Sequence, residues 1–380
     1  MARSSTVLVN TSNLHVGGGV QVAVSFLDEL SRLADSSIEV SVLASSRVDA
    51  NLKLLASDIS KFKNYRVYNT HGLSALWSII PWTAARHQVV FTIFGPLYCP
   101  TFGARSLVGF AQPWIIYRRN EVYCKLSFFH KIRVLVRLFF QSIFFKGADR
   151  LVVEAEHVRA ALAVQSGFDG GRISVVHNCV NSVYFHRDMW LPLRVNLSRS
   201  NFSLAFVGRD YPHKNTDILP YVKESLKVSH GVTVDMYVTL TADEWNRKSD
   251  FFRANTINVG EVDVGQCPTL YNFVDAVIFP SLLECFSATP LEAMVMLKPL
   301  FASDRPFVRA ICGEHASYFN PVDPASAAAQ IAYYMSGRRG QDDDSLLKAR
   351  KYVLDFSDAR TRAASYLALI QSMSMEDDGA

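Results

Sequence analysis

The chain contains no run of the roughly 18 apolar residues that a bilayer-crossing helix requires. Its opening MARSSTVLVN has only residues 6–9 as an apolar stretch, too short for a signal-peptide core. The expectation is a cytoplasmic protein, at most peripheral at the inner face of the cell membrane. Its six cysteines stand without close pairs, a pattern of free thiols that offers neither a disulfide framework nor zinc-ligand spacing. No internal repeat or low-complexity tract occurs, so disorder is expected only at the ends, chiefly residues 374–380. A net charge of +4 over 380 residues is mild, and no nucleic-acid partner is expected. A dinucleotide-binding fingerprint is missing as well. The position that would need its last glycine is Val22, and the second strand carries no acidic residue at its end to hold a ribose.

What is present is an alternation. At roughly 150 residues per domain, the length suggests two domains. Short β-rich runs at 6–10, 38–44, 89–94 and 151–153 alternate with helical stretches, the first at about 19–33. Residues 178–200, rich in Asn, Ser and Arg, break this rhythm. A second series then runs through strands at 202–207, 232–238, 256–259, 276–279 and 299–302. The fold class this implies is α/β, with two doubly wound domains side by side and ligands held by the loops that follow strands. The expected division is an N-terminal domain at 1–185, a linker at 186–200, a C-terminal domain at 201–360, and a helix and tail at 361–380 that can pack back on the N-terminal domain.

Three loops carry candidate chemistry. His15-Val16-Gly17-Gly18-Gly19 follows the first strand and runs into a helix, where glycines admit a ligand to the backbone and the helix start suits a phosphate or sugar. A tight turn that needs glycine for geometry alone is the competing reading. In Val207-Gly208-Arg209-Asp210-Tyr211-Pro212-His213-Lys214-Asn215, a strand gives way to a loop and a helix expected from about Asn215. There Arg209, as a planar fork, and Lys214, as a point charge, can converge on a diphosphate. In PSLLECFSATPLEAM, Glu284 lies in a loop and Glu292 in the first turns of the next helix. The small residues Ser287, Ala288 and Thr289 leave amides open to an anion between two carboxylates that can accept from sugar hydroxyls.

These strings resemble the retaining glycosyltransferases of family four. PSLLECFSATPLEAM is similar to that family's donor signature, in which seven residues separate two glutamates, and VGRDYPHKN to its phosphate-binding segment. The glycine triplet, GADRLVVEAEHVRAAL and INVGEVDVGQCPTLYNFVDAVIFPS match in order. The resemblance implies a GT-B fold, two Rossmann-like domains facing across a cleft, with no metal and no cofactor. It places Gly18, Gly19 and Gly208 in donor binding, Arg209 and Lys214 on the diphosphate, Glu284 beside the transferred sugar and Glu292 on the ribose hydroxyls. Amides of Phe286 and Ser287 would meet sugar hydroxyls, those of Ala288 and Thr289 the phosphates, and the loop at Val262 the base. Cys285 and Ser287 stand where the family more often has glycine. Where many relatives place a cleft histidine, the comparable stretch here offers Gln112, which can present an amide but cannot shuttle a proton at neutral pH.

The expected reaction moves a hexose, such as mannose or glucose, from a UDP- or GDP-sugar to a glycan acceptor, with retention at the anomeric carbon. Between Lys125 and Arg150, the cations Lys131, Arg133, Arg137 and Lys146 interrupt a run dense in Phe, Leu, Ile and Val. Such a helix either packs on a sheet or lies on a membrane surface. The membrane reading makes a lipid-linked acceptor of O-antigen or capsule type natural. A nucleotide-sugar epimerase, a phosphorylase with a pyridoxal phosphate lysine and an inactive sugar-nucleotide binding module are the alternatives.

Overall fold

Thirteen parallel-paired strands form two sheets among the described residues, which in this computed structural model are 5–33, 38–72, 80–83, 87–165, 167–198, 200–337 and 343–375. Of the tail expected to be disordered, Ser374 and Met375 instead close the last helix, and residues 376–380 lie outside the described ones. The first sheet contains β1 (Ser5–Thr11), β2 (Ile38–Ala44), β3 (Asn64–Val67), β4 (Val89–Thr92), β5 (Arg105–Gly109), β6 (Arg150–Val153) and β7 (Ile173–Val175). Its order is β3-β2-β1-β4-β5-β6-β7. The second contains β8 (Phe202–Phe206), β9 (Val234–Val238), β10 (Ile257–Asn258), β11 (Ala276–Phe279), β12 (Leu300–Ser303) and β13 (Ser317–Phe319), in the order β10-β9-β8-β11-β12-β13. Parallel strands cannot be joined by hairpins, so a crossover, usually helical, separates them and covers the sheet faces. The central strands are accordingly apolar: β4 and β11 are buried along their whole length.

Both sheets reverse their winding once, between β1 and β4 in the first and between β8 and β11 in the second. These reversal points are where ligands of doubly wound sheets settle.

The chain divides into one unit of Met1–Arg118, Ser127–Asn181 and Ser357–Ala380, and another of Arg119–Leu126 and Ser182–Phe356. This differs from the sequence reading in three places. Residues 119–126 group with the second unit, that unit takes up the chain again at Ser182, and the return to the first unit begins at Ser357. The first difference has a local cause: Lys125 donates to Asn215 at 2.6 Å, and Arg305 pairs with Glu121 at 2.5 Å. The helix expected from Asn215 also starts later. Asn215 is left-handed with φ of 57°, a short 3₁₀ turn follows, and the helix proper runs Leu219–His230.

The C-terminal helix Ala359–Met375 completes the first unit's core. Tyr366 packs against Phe26 and Phe91, with ring centroids at 5.2 and 5.1 Å. One turn earlier the buried Arg362 donates to Asn178, whose amide donates in turn to Glu154 at 2.6 Å. A buried cation without such an acceptor would be strongly destabilising. Tyr366→Ala is expected to lower the unfolding free energy by about 3 kcal/mol, measurable by urea denaturation.

Candidate functional site

The loops that leave β8 and β11 emerge side by side at the second sheet's reversal point, and the Leu282 amide donates to the His213 carbonyl at 2.7 Å, tying them together. Across this tie Lys214 Nζ reaches Glu284 Oε1 at 2.7 Å. Both side chains are largely buried, at 14% and 10% exposure, so the pair is shielded from the screening that makes surface pairs weak. Lys214 also lies over the Phe279 ring, 5.5 Å from its centroid. Thr289, in the first turn of the helix Ala288–Val295, donates to the Val207 carbonyl at 3.4 Å. That contact brings the helix start, with its open amides, to the beginning of the Gly208 loop. Gly208 itself has φ of 153° and donates to Thr239 at 2.9 Å.

Arg209 is held by carboxylates. Its Nε donates to Glu244 Oε1 at 2.9 Å, and its guanidinium lies 3.5 Å from Glu261. Glu244 is buried, also accepts from the Asp210 amide at 3.2 Å, and forms a reciprocal cap with Thr241. The other end of the loop is fastened by Lys248, which is within 2.7 Å of both Asp210 and Asp217 and donates to Thr216 at 2.8 Å. Glu244, Lys248 and Lys125 were not among the sequence-derived site residues. Thr241 to Glu244 carries the spacing of a capping box and could have been read as a helix start. That its glutamate holds Arg209 depends on sheet order.

Glu292 sits apart from the Lys214 pair, in a pocket of hydroxyls. Tyr271 donates to it at 2.9 Å, and the buried Tyr184 hydroxyl lies close by. Burial raises the Glu292 carboxyl above the usual range, opposed by the tyrosine hydroxyls and by the charge of Lys214. Cys285 and Ser287 are buried, while Phe286, Ala288 and Val262 are half-buried. Val262 follows Gly260, whose φ is 83°.

In the first unit the corresponding reversal point, between β1 and β4, opens into a cavity of about 270 Å³ lined by Asn13, His15, Thr70, His71, Tyr98 and Gln141 among others. His15 and His71 stack at 4.2 Å, and Asn13 Oδ1 is buried without a partner among the described residues. Gln112 does not line it, but donates to Gln141, which does, at 3.0 Å. Gly18 and Gly19 form the first turn of the helix Gly18–Arg32, capped by Gly17 with φ of 76°. A side chain at Gly18 would meet nothing within 4 Å, whereas one at Gly19 would press on Leu14 at 3.3 Å.

Two Rossmann-like parallel sheets, with loops converging where the strand order turns, define a protein of GT-B architecture. Solved structures agree over nearly the whole chain. Sucrose-phosphate synthase from Thermosynechococcus elongatus aligns with TM-score 0.71 and 13% identity, covering 97% of this chain and 99% of that one. The Anabaena protein Alr3699/HepE, solved with UDP-glucose, aligns with TM-score 0.68 and 13% identity over 97% and 99%. Residues 248–352 match the family described as Glycosyl transferases group 1. The O-antigen chain mannosyltransferase RfbU of Salmonella typhimurium is 24% identical over 95% of this chain and 99% of its own length. The chain thus has a GT-B fold, carries a stretch similar to group 1 glycosyltransferases and is similar over nearly its whole length to a mannosyltransferase, which supports glycosyltransferase activity.

Burial pushes His213 down to about 4 from an ordinary 6.5, with Glu284 opposing and Lys214 reinforcing the shift. Between these values the unfolded chain binds a proton that the folded chain does not, so stability rises with pH across the window and falls as the pH is lowered. His213→Gln is expected to flatten that slope, removing up to about 3 kcal/mol of pH dependence, as read from denaturation midpoints taken between pH 4 and 6.5.

Proposed function

We propose that the chain is a retaining hexosyltransferase that uses a UDP- or GDP-sugar and needs neither metal nor cofactor. Its acceptor is a glycan, carried on lipid, in the assembly of a cell-surface polysaccharide of O-antigen or capsule type. The observation that carries the donor reading is the buried Lys214–Glu284 pair at the β8–β11 reversal, flanked by the helix start at Ser287 and by Glu292. The name of the Salmonella relative supports the acceptor class, and the UDP-glucose complex of the Anabaena neighbour supports a nucleotide-sugar donor.

In this reading Lys214, Arg209 and the amides of Ala288 and Thr289 stabilise the charge that develops on the departing diphosphate. A divalent ion would serve the same purpose, and these cations make one unnecessary. Glu284, held by Lys214, faces the hexose, and the amides of Phe286 and Ser287 bind its hydroxyls. Glu292 accepts from the ribose, the loop at Val262 holds the base, and Gly208 lets the backbone pass close to the phosphates. The resemblance assigns Gly18 and Gly19 to donor binding as well. Attack on the face from which the diphosphate leaves gives retention, with a donor oxygen taking the acceptor's proton. The first-unit cavity with its paired histidines offers polar groups suited to an acceptor sugar.

Purified protein is expected to gain thermal stability with one nucleotide among a panel of UDP- and GDP-sugars, and Glu292→Ala to abolish the gain. Because Glu292 is raised by burial and must be ionised to accept from hydroxyls, donor affinity is expected to fall as the pH drops through its elevated value. Glu292→Gln should remove that dependence. Turnover should survive EDTA and yield a product of unchanged anomeric configuration. No stabilisation by any nucleotide sugar at millimolar concentration, or an altered sugar nucleotide formed without acceptor, would overturn the reading.

A further inference from the structure

The helix Phe128–Lys146 has two apolar faces, and only one of them is used by the fold. Val134, Leu138 and Phe145 are buried, with Phe145 against Phe110 at 4.8 Å between ring centroids. Eight further large apolar residues on the same helix are exposed: Phe128, Phe129, Ile132, Leu135, Val136, Phe139, Phe140 and Ile143. Phe129 is 83% exposed and Phe139 64%. At 3.6 residues per turn these eight positions fall in a single arc of about 140°, uninterrupted except for Lys146 at the helix end. The cations take the boundaries. Arg133 and Arg137 follow one edge of the arc, with His130 beside them, and Lys131 lies past the other edge, between the arc and the buried face. The scatter of charge along the sequence therefore resolves into borders around an apolar strip.

We propose that this strip is a membrane-seating face. The helix lies in the headgroup layer with Phe129, Phe139, Phe140 and their neighbours in the acyl boundary, and Arg133, Arg137 and Lys131 hold lipid phosphates at its edges. Among the described residues no helix is long and apolar enough to cross a membrane, so this one lies on the surface and does not span. Charge selects the occupant. No acidic residue stands between Val122 and Ala148, so a second copy docked helix to helix would set cation against cation. An anionic lipid surface complements both borders at once. The surface belongs to the first unit and stands whether or not the donor reading does.

The test is co-sedimentation of the full-length protein with sucrose-loaded vesicles of phosphatidylcholine, alone or with about a third phosphatidylglycerol. Binding is expected to the anionic vesicles, to weaken with salt, and to fall roughly tenfold in Arg133→Gln/Arg137→Gln. Phe129→Ser/Phe139→Ser should abolish it while keeping the wild-type melting temperature and any stabilisation by nucleotide sugar, since neither side chain is packed in the core. Absence of binding to anionic vesicles would overturn the proposal. So would equal binding to neutral and anionic vesicles, retention of binding in the double serine variant, or a wild-type dimer that this variant dissociates in sedimentation velocity.

Discussion

A parallel sheet lets consecutive strands meet only through crossovers, so its loops can diverge and leave room for a ligand at just one kind of place, where the winding reverses. Everything distinctive in the second unit depends on that constraint. β8 and β11 are far apart in sequence but adjacent in the sheet, and the loops that leave them carry Lys214 and Glu284. The Leu282 to His213 hydrogen bond fixes how far apart the two loops stand. Without the reversal, these residues would belong to separate loops with no common chemistry.

The cations of the candidate site are paired with acids. Lys214 is paired with Glu284, Arg209 with Glu244 and Glu261, and Lys248 with two aspartates. These pairings restrict the rotamers of side chains that would otherwise be free to rotate. They also prevent the repulsion that two cations on one short loop would otherwise exert on each other. Glu292 is treated differently: a tyrosine hydroxyl is bonded to it in place of a cation, and burial raises it. Two glutamates eight positions apart thus occupy electrostatically opposite surroundings.

The same logic separates the two long helices of the first unit that bear on its surface and core. The C-terminal helix hides its apolar residues in a core shared with Phe26 and Phe91, and anchors its one buried cation on Asn178. The helix Phe128–Lys146 does the reverse. It commits three residues to the fold and leaves eight large ones outside. Exposure of that extent on one face goes beyond the scattered surface leucines of ordinary domains.

Strand position and the three loops were legible because they depend on local pattern. Buried parallel strands are written as runs of Val, Ile, Leu and Phe, and glycine at positions 17 and 208 marks backbone that other residues adopt with strain. The group 1 signature lay in one contiguous stretch and could be read directly. Strands β3, β5, β7 and β13 were not among the runs read from the sequence, three of them having only three or four residues to carry a period, and the helix start slipped from Asn215 to Leu219 because a left-handed asparagine imitates a cap. Residues 119–126 went to the wrong unit because their attachment is made by Lys125 and Glu121 to partners about 90 and 184 positions away. By itself, then, the sequence determined the secondary-structure rhythm, the glycosyltransferase class and the identities of the charged residues in each loop, since all of these are encoded within a few turns of chain. Only the tertiary structure decided which carboxylate holds which cation and which face of the aromatic helix is left outside, because both depend on strand order and burial, which bring together residues that local pattern cannot relate.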